Sequence, residues 1–148
     1  MKEVGVINRK VAAAISKQGH GDLLMITDAG FAIPSGVEAI DISLEENKPM
    51  VIEVLRMLNN YFSVEKMFIA NQTKTINPTL FQAISGSFGK DVTVETIDHS
   101  RLKEISTTVK TVIRTGDFTA YGNVILVSGA GNRWFFEKEK DGNSAIVY

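Results

Sequence analysis

Two histidines, His20 and His99, and one aspartate, Asp28, fall where a helix and a strand are expected to meet. Histidine is the side chain that exchanges protons near neutral pH, and α/β chains gather their ligands at such junctions. Asp28 closes the apolar run Leu23-Leu24-Met25-Ile26-Thr27 and is followed at once by Ala29-Gly30. Together the three describe a site for a small hydroxylated molecule. Each also has a plain structural reading. His20 would then be a surface residue after a helix end, Asp28 a cap for the amides of its own loop, and His99 an exposed first-turn residue.

Other chemistries have no anchor. The chain has no cysteine, and its two histidines show no His-x-x-x-His spacing, so a zinc site has little support. The glycines around Gly86, Gly89 and Gly129-Ala130-Gly131 form neither a phosphate loop nor a dinucleotide fingerprint opening a helix. Gly-x-Ser-x-Gly is absent, which removes nucleophile-elbow hydrolysis. Acid–base chemistry without a cofactor remains, or simple binding.

The elements that must hold these residues follow from the pattern. Asn8 is a good N-cap for an alanine-rich helix from Arg9 to Lys17, with Gly19 as the left-handed residue that ends it. Asp22 to Thr27 reads as a strand covered on both faces, and Ala39 to Ile42 as a short second strand. Pro49 fits the first turn of a helix from Met50 to Phe62, with Val51, Val54, Leu55, Leu58 and Phe62 along one side. Lys66 to Ala70 is a further buried strand; Asn71 follows it, as Asp28 and His99 follow theirs, so a parallel sheet would bring the three to one edge, and its plain reading is a turn former. Asn77-Pro78 opens a third helix reaching about Phe88. Val92 to Ile97 is a strand, after which Asp98 caps a fourth helix carrying His99, Leu102 and Ile105. Val112 to Arg114 and Val124 to Val127 complete the core strands.

Strands alternating with helices predict a three-layer α/β fold: a mostly parallel central sheet with helices on both faces. Arg133 to Lys138 and Ser144 to Tyr148 flank Asp141-Gly142, so a C-terminal β-hairpin is expected as well. At 148 residues the chain is read as a single domain, 1–148, with a core over 1–128 and the hairpin extension over 129–148. Hydrophobic residues make up 44% and charged residues 22%, and the net charge of −1 leaves no basic stripe for nucleic acid. No stretch has the length or apolarity of a signal or membrane span, and a cysteine-free chain suits the cytoplasm.

Chain reach adds a constraint. Eight residue steps separate His20 from Asp28. At about 3.3 Å per extended residue they lie roughly 20–26 Å apart. A monosaccharide cannot bridge that gap, so one site using both would be assembled from two subunits, unless the strand is short and strongly bent.

Two stretches carry a resemblance. Gly19-His20-Gly21-Asp22, running on to Asp28-Ala29-Gly30-Phe31-Ala32-Ile33-Pro34, resembles the amino-terminal signature of the D-ribose pyranase family, a branch of the pyranase and fucose mutarotase superfamily. Ile113-Arg114-Thr115-Gly116-Asp117-Phe118-Thr119-Ala120-Tyr121-Gly122-Asn123 is similar to its carboxy-terminal signature. The likeness also takes in Asn8, Ile40-Asp41, Asn77-Pro78 and the His99 to Lys103 spacing, and spans residues 1 to about 128. It implies a cytoplasmic isomerase that interconverts ribose ring forms without a cofactor, as a ring-shaped homo-oligomer with sites between subunits. By position His20 would be the proton donor, and Asp28, His99, Tyr121, Gly122 and Asn123 the sugar-contacting residues.

Some positions depart from the family's pattern. Gly122 stands where ribose pyranases usually have alanine, and Tyr-Gly-Asn is shared with fucose mutarotases. Asn71 stands where an acidic residue is expected, Ala32 replaces a usual proline, and the chain runs on past the strand containing Leu126. These departures bear on the sugar more than on the reaction. The alternatives are a mutarotase acting on fucose or another sugar, and a non-catalytic sugar-binding oligomer.

Overall fold

The structure, a computed structural model, describes residues 1–131 together with 133 and 134. In chain order it contains α1 (Arg9–Ser16), β1 (Leu23–Thr27), β2 (Glu38–Asp41), α2 (Val51–Asn59), β3 (Val64–Ala70), α3 (Asn71–Ile76), α4 (Pro78–Ser85), β4 (Thr93–Ile97), α5 (His99–Ser106), β5 (Thr111–Arg114) and β6 (Val124–Ser128). The strands form one sheet in the order β2-β5-β1-β6-β3-β4. β2, β5 and β1 run parallel, as do β3 and β4, while β6 lies antiparallel between β1 and β3. The expected mostly parallel sheet is present, with one strand reversed.

Alternation along the strands builds two cores. Leu24, Ile26, Met67, Ile69, Ile113, Val124 and Leu126 face one side, where they meet Val11 and Ala14 of α1, the Val51, Val54, Leu55 and Leu58 stripe of α2, and Ile84 of α4. Met25, Val112, Ile125 and Ala70 face the other side and pack with Leu102 of α5 and with Phe31. Side chains that alternate across a pleat and are buried on both faces require cover above and below. Each fully buried Leu or Ile contributes roughly 1.5–3 kcal/mol.

The caps read from the sequence are in place. Asn8 accepts from the Val11 N–H at 3.0 Å, Asn77 from Leu80 at 3.1 Å, and Asp98 from Ser100 at 2.9 Å. Four expectations need correction. Gly19 does not end α1, which runs out through Lys17 in ordinary helical geometry; the left-handed glycine is Gly21, at φ +88°. Pro49 precedes the N-cap Met50 instead of occupying the first turn of α2, which ends at Asn59. Asn71 is not a turn: it begins α3, which makes α5 the fifth helix. α4 stops at Ser85, with Gly86 as its cap. The hairpin expected around Asp141-Gly142 lies outside the described residues.

One glycine is fixed by crowding. A side chain on Gly116 would meet the carbonyl oxygens of Glu45 at 2.5 Å and Lys48 at 2.6 Å, both backbone atoms. Gly116 also donates to the Pro49 carbonyl and accepts from Asn47, which binds the 43–49 loop to the strand end. Gly116→Ala is expected to cost roughly 1–3 kcal/mol through overpacking. The check is thermal unfolding, where Tm should fall by about 2–4 °C per kcal/mol.

Candidate functional site

All five parallel strands end at the same edge of the sheet, the edge at which α/β folds bind ligands. Asp28 follows β1, and His99 opens α5 just beyond β4. Because β6 runs the other way, its first residue lies at that same edge, with Val124 opposite Ile26 of β1 and Ile69 of β3. The residues just before it, Tyr121, Gly122 and Asn123, are thereby delivered beside Asp28. β5, which pairs with β1 directly, and the reversed β6 together join the two sequence signatures.

Side chains complete the junction. The Asp28 N–H donates to Asn123 Oδ1 at 2.9 Å, and Asn123 Nδ2 donates back to Asp28 Oδ2 at 3.2 Å. Asp28 Oδ1 accepts from the Gly30 N–H at 3.0 Å. Asp28 and Asn123 are buried, so this reciprocal pair is a fixed part of the floor. Arg114 donates through Nε and Nη2 to the Ala29 carbonyl and through Nη1 to Asp41 and Ser43. The Ser43 hydroxyl, then its N–H and Arg114, hold the Asp41 carboxyl below the usual carboxylate range. That clamp is complete at neutral pH and is lost only as pH falls through the lowered value.

Above this floor lies a cavity of about 680 Å³ lined by Asp28, Phe31, His99, Lys103, Tyr121 and Asn123, with Phe118 exposed at its rim. The His99 ring meets Tyr121 edge-on at 5.1 Å and Phe31 at 6.2 Å. Its backbone N–H donates to Gln72 Oε1, and Gln72 also donates to Asp98. His99 Nδ1 is buried and has no hydrogen-bond partner among the described residues. Tyr121 holds φ +59°, with its carbonyl fixed by the Thr73 hydroxyl at 2.7 Å. Strained backbone of this kind persists where the surroundings over-determine it, often at ligand sites.

Gly122 is buried beneath the cavity. A side chain there would lie 3.0 Å from the Thr119 carbonyl and 3.8 Å from Asp28 Cβ, so the choice between glycine and alanine sets how closely the 119–121 loop approaches Asp28.

His20 is elsewhere. It lies at the opposite end of β1, in a second cavity of about 320 Å³ shared with Tyr61, Ser63, Gly129 and Trp134. The Gly-His-Gly-Asp turn is pinned there: Asp22 accepts from the Gly19 N–H and from Lys110, and the Ser128 hydroxyl donates to the Gly19 carbonyl. The Gly19 N–H, then Lys110, hold the Asp22 carboxyl below its usual range. Of the six expected site residues, Asp28, His99, Tyr121 and Asn123 line one cavity, Gly122 is buried against Asp28 beside it, and His20 does not join them within one chain. Sequence reading passed over Glu65, which lies 3.2 Å from His20, and the buried Asp117, which accepts from the N–H groups of Val51 and Thr119. No spacing signal marks the Glu65–His20 or the Asp117–Val51 contact, because each crosses between distant elements, and Asp117 stood in the sequence only as part of the carboxy-terminal signature.

An α/β sheet with a polar, half-buried cavity at the carboxyl ends of its strands belongs to the class that binds small polar ligands there. The chain belongs, by its match over residues 1–131, to the RbsD / FucU transport protein family. It is 40% identical over 129 residues to the D-ribose pyranase of Pseudothermotoga lettingae, covering 87% of this chain and 92% of that protein. It is also 40% identical to the D-ribose pyranase of Latilactobacillus sakei, covering 87% and 98%. Bacillus subtilis RbsD complexed with D-ribose superposes with a TM-score of 0.83 at 34% identity, covering 88% of this chain and 98% of the other. The fucose mutarotase of Streptococcus pneumoniae, solved with L-fucose, shares the fold at a TM-score of 0.72 and 20% identity, covering 88% and 99%.

Proposed function

We propose that the protein is a cytoplasmic, cofactor-independent isomerase that interconverts the pyranose and furanose forms of D-ribose. It works as a homo-oligomer in which His20 of one subunit completes the Asp28 cavity of its neighbour. The observation that carries the reading is the cavity formed by Asp28, His99, Tyr121 and Asn123, in a chain 40% identical to a D-ribose pyranase. The separation of His20 from that cavity supports a site completed by a second subunit, since closed rings bring one face of each protomer against a different face of the next.

The chemistry is ring opening and reclosure. Asp28 holds sugar hydroxyls through lone pairs left free by Gly30 and Asn123, with Asn123 fixing the carboxylate. His99 and Tyr121 orient the anomeric end. His20 gives a proton to the ring oxygen as the bond from that oxygen to the anomeric carbon breaks, and the anomeric hydroxyl loses its proton to solvent. The free aldehyde then recloses through a different hydroxyl. The proton shed by that hydroxyl returns to His20, and the carbonyl oxygen is reprotonated. A positioned acid–base group of this type contributes roughly 10²- to 10⁴-fold.

Saturation-transfer NMR on ribose and fucose tests the proposal. Catalysed exchange between ribose pyranose and furanose signals is the expected result. Exchange on neither sugar, with binding retained, would leave a sugar-binding oligomer instead. Fucose is included because Gly122 stands in a Tyr121-Gly122-Asn123 segment of the form that resembles the fucose mutarotases.

A further inference from the structure

We infer that Glu65 is the positioning residue for His20, holding the imidazole by Nε2 so that Nδ1 exchanges the proton with the sugar; the inference rests on His20 as the proton donor proposed above. Three independent features of the fold converge on this carboxylate. The first is its contact: Glu65 Oε2 lies 3.2 Å from His20 Nε2. The second is its backbone. β3 pairs with β6 through Val64 opposite Ser128 and Lys66 opposite Val127, so Glu65 is the extra residue of a bulge. Bulges re-aim a side chain at some expense to the ladder and are common beside active sites. The third is Gly129, just past the end of β6. A side chain on Gly129 would collide with the Glu65 carboxylate, at the same Oε2 that faces His20.

Stability does not account for these features. The His20 and Glu65 side chains are 67% and 38% exposed, and exposed ion pairs contribute little to folding. A bulge and a cleared glycine at the end of a sheet weaken pairing, so their combined effect is to aim one carboxylate at one imidazole. Carboxylates that orient a working histidine fix which nitrogen carries the proton and stabilise the imidazolium. Here the proton on Nε2 faces Glu65 throughout. The proton on Nδ1 passes to the ring oxygen as the ring bond breaks, and Nδ1 is recharged by the hydroxyl that recloses the ring. Glu65 takes no proton in the step.

The test is the ring-exchange rate of intact wild-type, Glu65→Gln, His20→Ala and double-variant oligomers on ribose. Glu65→Gln keeps the shape and an acceptor but removes the charge. We expect kcat to fall roughly 10- to 100-fold with KM little changed, the loss typical of removing an outer partner of a working histidine. In the His20→Ala background the same change should cost nothing more, because Glu65 acts only through that ring. On adding ribose to wild-type protein, the ¹⁵N signal of Nδ1 should move while that of Nε2 stays. Wild-type kcat in Glu65→Gln, a loss confined to KM, or an equal further loss in the His20→Ala background would overturn the inference. Normal exchange by His20→Ala itself would instead overturn the proton-donor reading on which it rests.

Discussion

His20→Ala is expected to lower ribose ring exchange by roughly 10²- to 10⁴-fold while the protein stays folded and still binds sugar. His20 is exposed, contacts Glu65, and takes no part in either hydrophobic core, so its loss leaves no cavity and strands no buried group. The groups proposed to hold the sugar lie in the other cavity and keep their hydrogen bonds. Exchange spectroscopy gives the rate, and equilibrium titration with ribose gives the affinity. A large loss of affinity with an unchanged turnover would assign His20 to binding instead.

Asp28→Asn is expected to have the opposite signature together with a cost in stability. Asp28 accepts from two donors, the Gly30 N–H in a part-buried bond and Asn123 Nδ2 in a buried one. An amide in its place has one acceptor only, so its NH₂ must face one of those donors. Leaving a buried donor unsatisfied costs roughly 1–3 kcal/mol. The lost carboxylate should also raise KM for ribose well beyond any change in kcat. Combining Asp28→Asn with Asn123→Asp restores a donor facing an acceptor across the pair, because the new amide can then give its proton to the new carboxylate. The double variant should regain most of the lost Tm without regaining sugar affinity. Stability lost equally in the single and the double variant would show that the reciprocal pair is not the origin of the effect.

Much of the frame was legible in the chain. The Asn8, Asn77 and Asp98 caps and the apolar runs of β1, β3 and β6 follow from short-range chemistry, and the structure keeps them. α3 was missed because Asn71-Gln72-Thr73-Lys74 lacks an apolar period; the helix is held by its docking, with Thr73 buried and its hydroxyl on the Tyr121 carbonyl. Gly19 and Gly21 flank the same histidine, and only the folded turn decides which of them takes the left-handed conformation. The reversed direction of β6 was also hidden, since its apolar run Val124-Ile125-Leu126-Val127 fits either orientation. That reversal is what sets Asn123 against Asp28, a pairing across 95 residues that no local pattern encodes. The position of His20 at the far end of β1 was foreseeable from chain reach alone, while its partner Glu65 depended on a bulge visible only in the register.

The account is tested most directly by mixing two defective proteins. If His20 is the proton donor and Asp28 the sugar-holding carboxylate, then at ribose well below the raised KM of Asp28→Asn each variant oligomer alone should be nearly inactive. If every site joins His20 of one subunit to the Asp28 cavity of the next, equal co-assembly should leave about one quarter of the sites with both halves intact. Ring exchange at about one quarter of the wild-type rate, in oligomers shown by native mass spectrometry to contain both variants, is the predicted outcome. Mixed oligomers that remain as inactive as their parents would contradict it.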